Sequence, residues 1–447
     1  MTKGFLKYLL PILLLLPYAC VREDFDMEGH PVDIRPGPTP GRLPDQNGRK
    51  VLLLYSAGLN SLNGYLAKDI EELRGGYIPS DKSSDDVLLV FSRITDAYSR
   101  RGCDPVSPVL TRLYVDQEGE SICDTLYTFP PETVASSGET LMAVLTMIRD
   151  RFPASGYGMV FSSHASGWTP PGYYNDPSRY DSEYDNGSTV TWRRSYSWTS
   201  FEPNYEFPDL PAVKSIGQDL LVGSSREMDL EEFAAAIPFK LDYLLFDACL
   251  MGCVEVAYEL KDKAECIGFS QAEVLADGFN YKTLASHLLE GETPDPVSVC
   301  RDYFEFYDSK TGTSRSATIA LVDCSKMDAL ALVCRDLFGK YREAIRSVDP
   351  SAVQGYFRFG RHFFYDLEDI LIKSGIDAGE RTALEQAVDA CVIYRAATPS
   401  FIKTGSSGFD INVFSGFSMY LPADGTSFLD DYYKAHILWN DATGLVE

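Results

Sequence analysis

The sequence predicts an α/β protein built on a mostly parallel sheet with helices on both faces. Three observations carry that reading. Short apolar runs suited to buried strands recur at 51–55, 87–91, 157–163 and 241–247. Stretches of helical period separate them, which calls for crossover connections and parallel pairing. Two reactive residues, His164 and Cys249, stand just past two of these runs. In open α/β sheets that C-terminal edge is where sites are built.

The elements follow in order. A strand at 51–55 leads to a helix at 62–73, and strands follow at 87–91 and 110–115. An amphipathic helix at 140–152 precedes the strand at 157–163. A helix at 230–237, a strand at 241–246, a helix at 251–261 and a strand at 266–270 complete the regular pattern. Past about residue 285 the alternation loosens. Helices at 297–307 and 327–345 enclose a strand at 317–322, and 411–420 reads as a late strand pair. No internal repeat is visible.

The N-terminus carries an address. Lys3 and Lys7 precede an apolar stretch that is too short to span a bilayer and reads as a signal peptide over 1–19. The run Leu16-Pro17-Tyr18-Ala19-Cys20 resembles a bacterial lipobox, which implies cleavage before Cys20 and lipid on its thiol. The alternative is ordinary secretion with a plain Cys20. With a lipid, the chain belongs in the bacterial cell envelope, periplasmic or surface-exposed on the outer membrane. Residues 20–48 hold five prolines and no apolar period, the composition of a tether. The domain that follows covers 49–300, and 301–447 reads as an extension packed on it.

The chain carries a net charge of −25, and loss of residues 1–19 removes only Lys3 and Lys7. An acidic surface argues against nucleic acid as a partner. It suits basic ligands, although acidity alone is commonly a solubility device. The ten cysteines show no C-x-x-C pair and no disulfide framework. Cys300, Cys324, Cys334 and Cys391 lie in apolar surroundings that favour buried thiols.

Cys249 follows a strand and precedes a helix, whose N-terminus would stabilise a thiolate. A buried cysteine at a crowded corner is the alternative. Cys253 competes, but a helical position would turn it toward packing. Among the five histidines, His164 alone sits at a strand end with small residues and a glycine after it. Together the two point to a thiol hydrolase. The interval 169–228 between them is rich in Tyr, Ser, Asp and Pro, and a loop of that length is functional or disordered. A catalytically inactive surface protein holding glycan or peptide on the aromatic stretch 173–198 is the competing reading.

Here the motifs identify a family. Ser163-His164-Ala165-Ser166-Gly167-Trp168 and Phe246-Asp247-Ala248-Cys249-Leu250-Met251-Gly252 resemble the catalytic motifs of the clostripain family of cysteine peptidases, of the caspase-like superfamily. Similarity extends over roughly residues 50–447. The family usually has glycine where Ala165 stands, a change that is strained only if φ there is positive. The resemblance implies a caspase-like fold and a Cys249/His164 dyad, with the N–H groups of Cys249 and Ala165 as oxyanion donors. It implies protein or peptide substrates with a basic P1 residue held by Asp247 and Asp277. Asp247 read alone is equally a helix cap or a partner of a structural arginine, and Asp277 a turn residue. The family is activated by cleavage between the dyad residues, which makes Arg226 and Lys214 the leading processing candidates, followed by Arg193 and Arg194. No cofactor is required. Asp181-Ser182-Glu183-Tyr184-Asp185-Asn186-Gly187 fails as an EF-hand, because Gly187 falls at the seventh position and Trp192 replaces the bidentate Glu. Ca2+ stays open only through the family's reported link to it.

Overall fold

The computed structural model describes residues 48–57, 62–81, 86–93, 106–163, 165–171, 173, 180, 219–221, 224–226, 228–358, 363–405 and 407–447. Its strands are β1 (Lys50–Ser56), β2 (Val87–Ser92), β3 (Val109–Val115), β4 (Ser121–Thr128), β5 (Gly156–Ser162), β6 (Asp219–Leu221), β7 (Ser224–Arg226), β8 (Leu241–Asp247), β9 (Ala264–Phe269), β10 (Thr318–Asp323), β11 (Tyr365–Asp366), β12 (Val392–Ala397), β13 (Ser400–Phe401), β14 (Phe409–Asp410) and β15 (Ser418–Met419). Among the described residues nine of them form one sheet in the order β12-β10-β9-β8-β5-β1-β2-β3-β4. The five from β9 to β2 run parallel; β3, β4, β10 and β12 join antiparallel at the two sides.

Parallel strands buried on both faces need uninterrupted apolar sequence. β2 and β5 are buried at every residue, and β1 and β8 at all but one. One helical layer holds Asn63–Arg74, Tyr281–Ala285 and Pro296–Asp308; the other holds Gly138–Arg151, Leu230–Ala235, Val254–Glu259, Met327–Ile345, Ala378–Cys391 and Leu438–Thr443. The helix Gly138–Arg151 shows why such elements form. Ser137 caps it by accepting the Thr140 N–H, Leu141, Val144, Leu145 and Ile148 make one buried stripe, and Arg149 and Arg151 oppose the dipole in the last turn. Met327–Ile345 buries a similar stripe of Met327, Leu330, Ala331, Cys334, Leu337 and Phe338.

Several expectations need correction. The 301–447 region does more than pack on the first half, since β10 and β12 continue the same sheet. β4 and β12 went unseen in the sequence. The 411–420 segment is no strand pair: β14 pairs with β13, and β15 pairs with β11. The helix expected at 251–261 begins only at Val254 and ends at Glu259.

Register aligns the site. Ser56 of β1 pairs with Ser162 of β5, and Ser162 pairs with Asp247 of β8. Positions 164 and 249 therefore each lie two residues beyond registered strand ends.

Candidate active site

Cys249 lies in the turn after β8 and is fully buried. Its sulphur accepts the backbone N–H of Val274 at 3.1 Å. This replaces the expected helix N-terminus as the donor to sulphur, because Leu250 to Cys253 separate Cys249 from the helix Val254–Glu259. Those residues form a turn held from outside. Leu250 has φ +61°, a conformation that costs an L-residue about 1–2 kcal/mol. Its N–H bonds to the Ala272 carbonyl at 3.0 Å, and that of Gly252 to the Ser270 carbonyl at 2.7 Å. A Cβ on Gly252 would lie 2.6 Å from the Gln271 nitrogen, so only glycine permits this approach.

His164 lies outside the described residues; its neighbours Ser163 and Ala165 are described. The Ser163 hydroxyl donates to the Ala57 carbonyl at 2.6 Å, which ties the loop to the end of β1. Gly167 has φ +60°, and a Cβ there would sit 2.6 Å from the Leu250 carbonyl oxygen. The histidine-bearing loop thus abuts the nucleophile turn through residue 167. Among the described residues only Leu250 and Ile402 combine positive φ with a side chain, so Ala165 stands in the family's glycine position without that strain.

Cys253, the rival thiol, is the N-cap of Val254–Glu259 and fully buried. Burial, followed by the Glu255 carboxylate, pushes its thiol well above the usual range. A thiol held protonated is a poor nucleophile. Cys300, Cys324, Cys334 and Cys391 are all buried and free.

The two aspartates have unlike surroundings. Asp247 is fully buried, and its Oδ2 accepts the Tyr281 hydroxyl at 2.5 Å and the Ser162 hydroxyl at 3.2 Å. Burial first, then the Asp247 and Asp69 carboxylates, push the Tyr281 hydroxyl well above its ordinary range. Asp277 is half-exposed and ion-paired with Lys68 at 2.9 Å. Tyr307 links the two neighbourhoods. Its hydroxyl donates to the Gly278 carbonyl at 3.1 Å, and after burial and Tyr303 both Asp247 and Asp277 raise its titration. Sequence reasoning missed Ser162, Tyr281, Asp69 and Lys68. Tyr281 ends the Asp277-Gly278-Phe279-Asn280-Tyr281 motif and was the one with a readable signal.

On the opposite face of β8, Phe161, Phe233, Phe246 and Met251 line a cavity of about 70 Å3 with Ser163 and Ala165 at its rim. Of the processing candidates, Arg226 ends β7, paired with β6. Lys214, Arg193 and Arg194 lie outside the described residues, as do Cys20, most of the tether and the acidic 181–187 stretch. In the aromatic stretch, Tyr173 is buried and stacks on Phe428 at 5.5 Å, making it a core residue and no ligand platform. No cluster of side chains fit to hold a metal occurs among the described residues.

Comparison with known proteins agrees with this geometry. A sequence profile of peptidase C11, the clostripain family, matches residues 54–192 and 200–442. Clostripain of Hathewaya histolytica is 24% identical over 266 residues, 55% of this chain and 43% of that protein, so the match spans less than half of the relative's length. Two solved structures share the fold with a TM-score of 0.67, each over 90% of this chain and 99% of theirs. One is an inactive zymogen C11 protease from Parabacteroides distasonis (23% identity), the other the secreted C11 cysteine protease iotapain from Bacteroides thetaiotaomicron (22% identity). A secreted C11 cysteine protease from Bacteroides thetaiotaomicron in complex with an irreversible peptide inhibitor aligns equally well (21% identity, 89% of this chain and 99% of that one, TM-score 0.67).

Proposed function

The chain belongs to the clostripain family of cysteine peptidases, and from that premise we propose that it is an endopeptidase cutting after Arg or Lys with a Cys249/His164 dyad. One observation carries the reading: the Cys249 sulphur stands past the C-terminal end of β8 and receives a backbone N–H at 3.1 Å. The same sulphur donates to the Val274 carbonyl at 3.8 Å, so Val274 fixes the position of the side chain at the strand end. In the reaction, the thiolate attacks the scissile carbonyl carbon, and the N–H groups of Cys249 and Ala165 receive the developing oxyanion. His164 gives its proton to the leaving amine as the C–N bond breaks. It then takes a proton from water, whose oxygen attacks the thioester and releases Cys249. These steps use no cofactor.

Asp247 and Asp277 are the proposed anchors of the basic P1 side chain. Two carboxylates match a planar guanidinium fork better than an ammonium, so Arg is preferred over Lys. Cys249 and Asp247 are both fully buried, which fits a resting chain that opens on activation. We assign that activation to self-cleavage within 169–228, first at Arg226 or Lys214, then at Arg193 or Arg194. The two products would stay together, since β5 and β8 lie side by side in one sheet. The chain would be anchored in the envelope by lipid on Cys20 after loss of residues 1–19.

The test uses wild type and Cys249→Ala purified in parallel. Fluorogenic peptides with Arg, Lys, Asp or Ala at P1 should turn over in the order Arg, Lys, then neither of the others. Fragment N-termini should appear only in wild type. Preference for Asp or Ala overturns the specificity, and equal nicking overturns self-processing. Membrane partition lost in Cys20→Ala checks the anchor.

A further inference from the structure

The buried carboxyl of Glu255 is used by none of the steps above, yet it stands where both catalytic loops converge. It lies in the first turn of Val254–Glu259 and is fully buried. Its Oε1 accepts the backbone N–H of Tyr420 at 2.8 Å and the Tyr433 hydroxyl at 2.7 Å. Cys253, two residues before it in the chain, is fully buried, and the Glu255 carboxylate adds to burial in raising its thiol. Trp168 is fully buried, with its ring 4.8 Å from Tyr420 and 5.3 Å from Tyr433. Trp168 is four residues past His164, and Cys253 is four past Cys249. Each loop thus leaves the sheet edge, carries its reactive residue and is tied down at the same distance along the chain. The Ser418 N–H, bonded to the Gly252 carbonyl at 2.8 Å, seals the nucleophile turn to the same C-terminal segment.

We propose that Glu255, acting through Tyr420, Tyr433 and Trp168, is a positioning residue that fixes the two dyad-bearing loops relative to one another. The claim rests on the dyad reading for its catalytic consequence, but the mechanical coupling of the loops does not. The groups facing the carboxyl are Cys253 on its own turn, Tyr420 after β15 and Tyr433 on Ser427–His436. Behind Tyr420, its hydroxyl meets Asp430 at 2.8 Å, which is paired in turn with Arg346 at 3.2 Å. No cation touches the carboxyl itself in these contacts, and burial pushes it up to about 7. Burial outweighs the donors that favour the anion, so the folded state holds Glu255 best when it is neutral. The raised folded value means that its contribution is full below the ordinary carboxylate range and is lost as pH rises through about 7.

The test compares full-length wild type, Glu255→Gln and Glu255→Ala by hydrogen exchange and by kinetics on an Arg-P1 peptide. In Glu255→Ala, exchange should rise in 165–171 and 250–253 together, and kcat should fall about tenfold with little change in KM. Glu255→Gln keeps the shape and the acceptor without the titration. Its kcat should equal wild type at pH 6, and the ratio of the two should climb about threefold by pH 8. Dividing by wild type cancels the titration of the dyad itself. Unchanged exchange in both loops, or a ratio flat with pH, overturns the proposal. A wild type that cleaves nothing while Glu255→Ala loosens both loops would remove the peptidase reading and support the coupling. Should Glu255→Ala not fold, Tyr433→Phe carries the same exchange comparison.

Discussion

Adjacent residues of β8 face opposite worlds. Phe246 packs against Phe233 at 5.6 Å and Phe161 at 6.1 Å and lines the apolar cavity. Asp247, one residue on, meets Ser162 of the neighbouring strand β5 and Tyr281 of the helical layer on the other side. The two-residue period of a strand makes this division unavoidable once β8 is buried on both faces. The comparison separates two tasks at one strand end. The aromatic face packs the strand against its helical layer, and the acidic face is where the proposed P1 cation would be held.

Breaking the aromatic face should have the largest effect. Phe233→Ala removes a buried ring between Phe161 and Phe246 and should lower unfolding free energy by about 3–5 kcal/mol. The shift is read from a chemical denaturation midpoint, and the Arg-to-Ala preference of the folded fraction should hold. Asp247→Asn attacks the other face. It should reduce kcat/KM for an Arg-P1 peptide by about 2–5 kcal/mol in free-energy terms, by leaving a bound cation without its partner. Alkylation of Cys249 by iodoacetamide, which carries no P1 side chain, should not follow it down, and a parallel fall in both would erase the proposed division of labour.

Two smaller changes sharpen the contrast. Tyr281→Phe removes the 2.5 Å bond to the Asp247 carboxylate and should reduce stability by about 1.5–3 kcal/mol, measurable by the same denaturation. Lys68→Ala frees Asp277 from an ion pair whose members are both about half-exposed. Solvent screens such a pair to about 0.2–1 kcal/mol. If Asp277 helps to hold P1, KM for an Arg peptide should drop by up to about fivefold; a rise would mean that Lys68 supports the pocket.

The central strands were legible because burial on both faces leaves a strand no polar position. That is why 51–55, 87–91, 157–163 and 241–247 stood out, with Cys249 and His164 marked by their place just beyond. β4 was not legible, since it forms the sheet's edge and most of its residues are exposed or half-exposed. β12 follows the helix Ala378–Cys391 without a breaker and looks like more helix. Leu250-Met251-Gly252-Cys253 reads as helical from composition, yet long-range bonds to Ser270 and Ala272 hold Leu250 left-handed. Glu255 shows the same limit. In sequence it is an ordinary acidic first-turn residue, and its burial is set by Tyr420 and Tyr433, 165 and 178 residues away. Local pattern locates strands and strand ends; the polar contacts between distant loops exist only after folding.

The most direct test of the central claim is covalent labelling of the full-length protein with a peptidyl thiol-reactive probe bearing Arg at P1, followed by mass mapping of the modified residue. The account predicts a single labelled thiol, Cys249, with labelling lost in His164→Ala and weakened in Asp247→Asn. Labelling at Cys253, or at Cys249 with no dependence on His164, would contradict it.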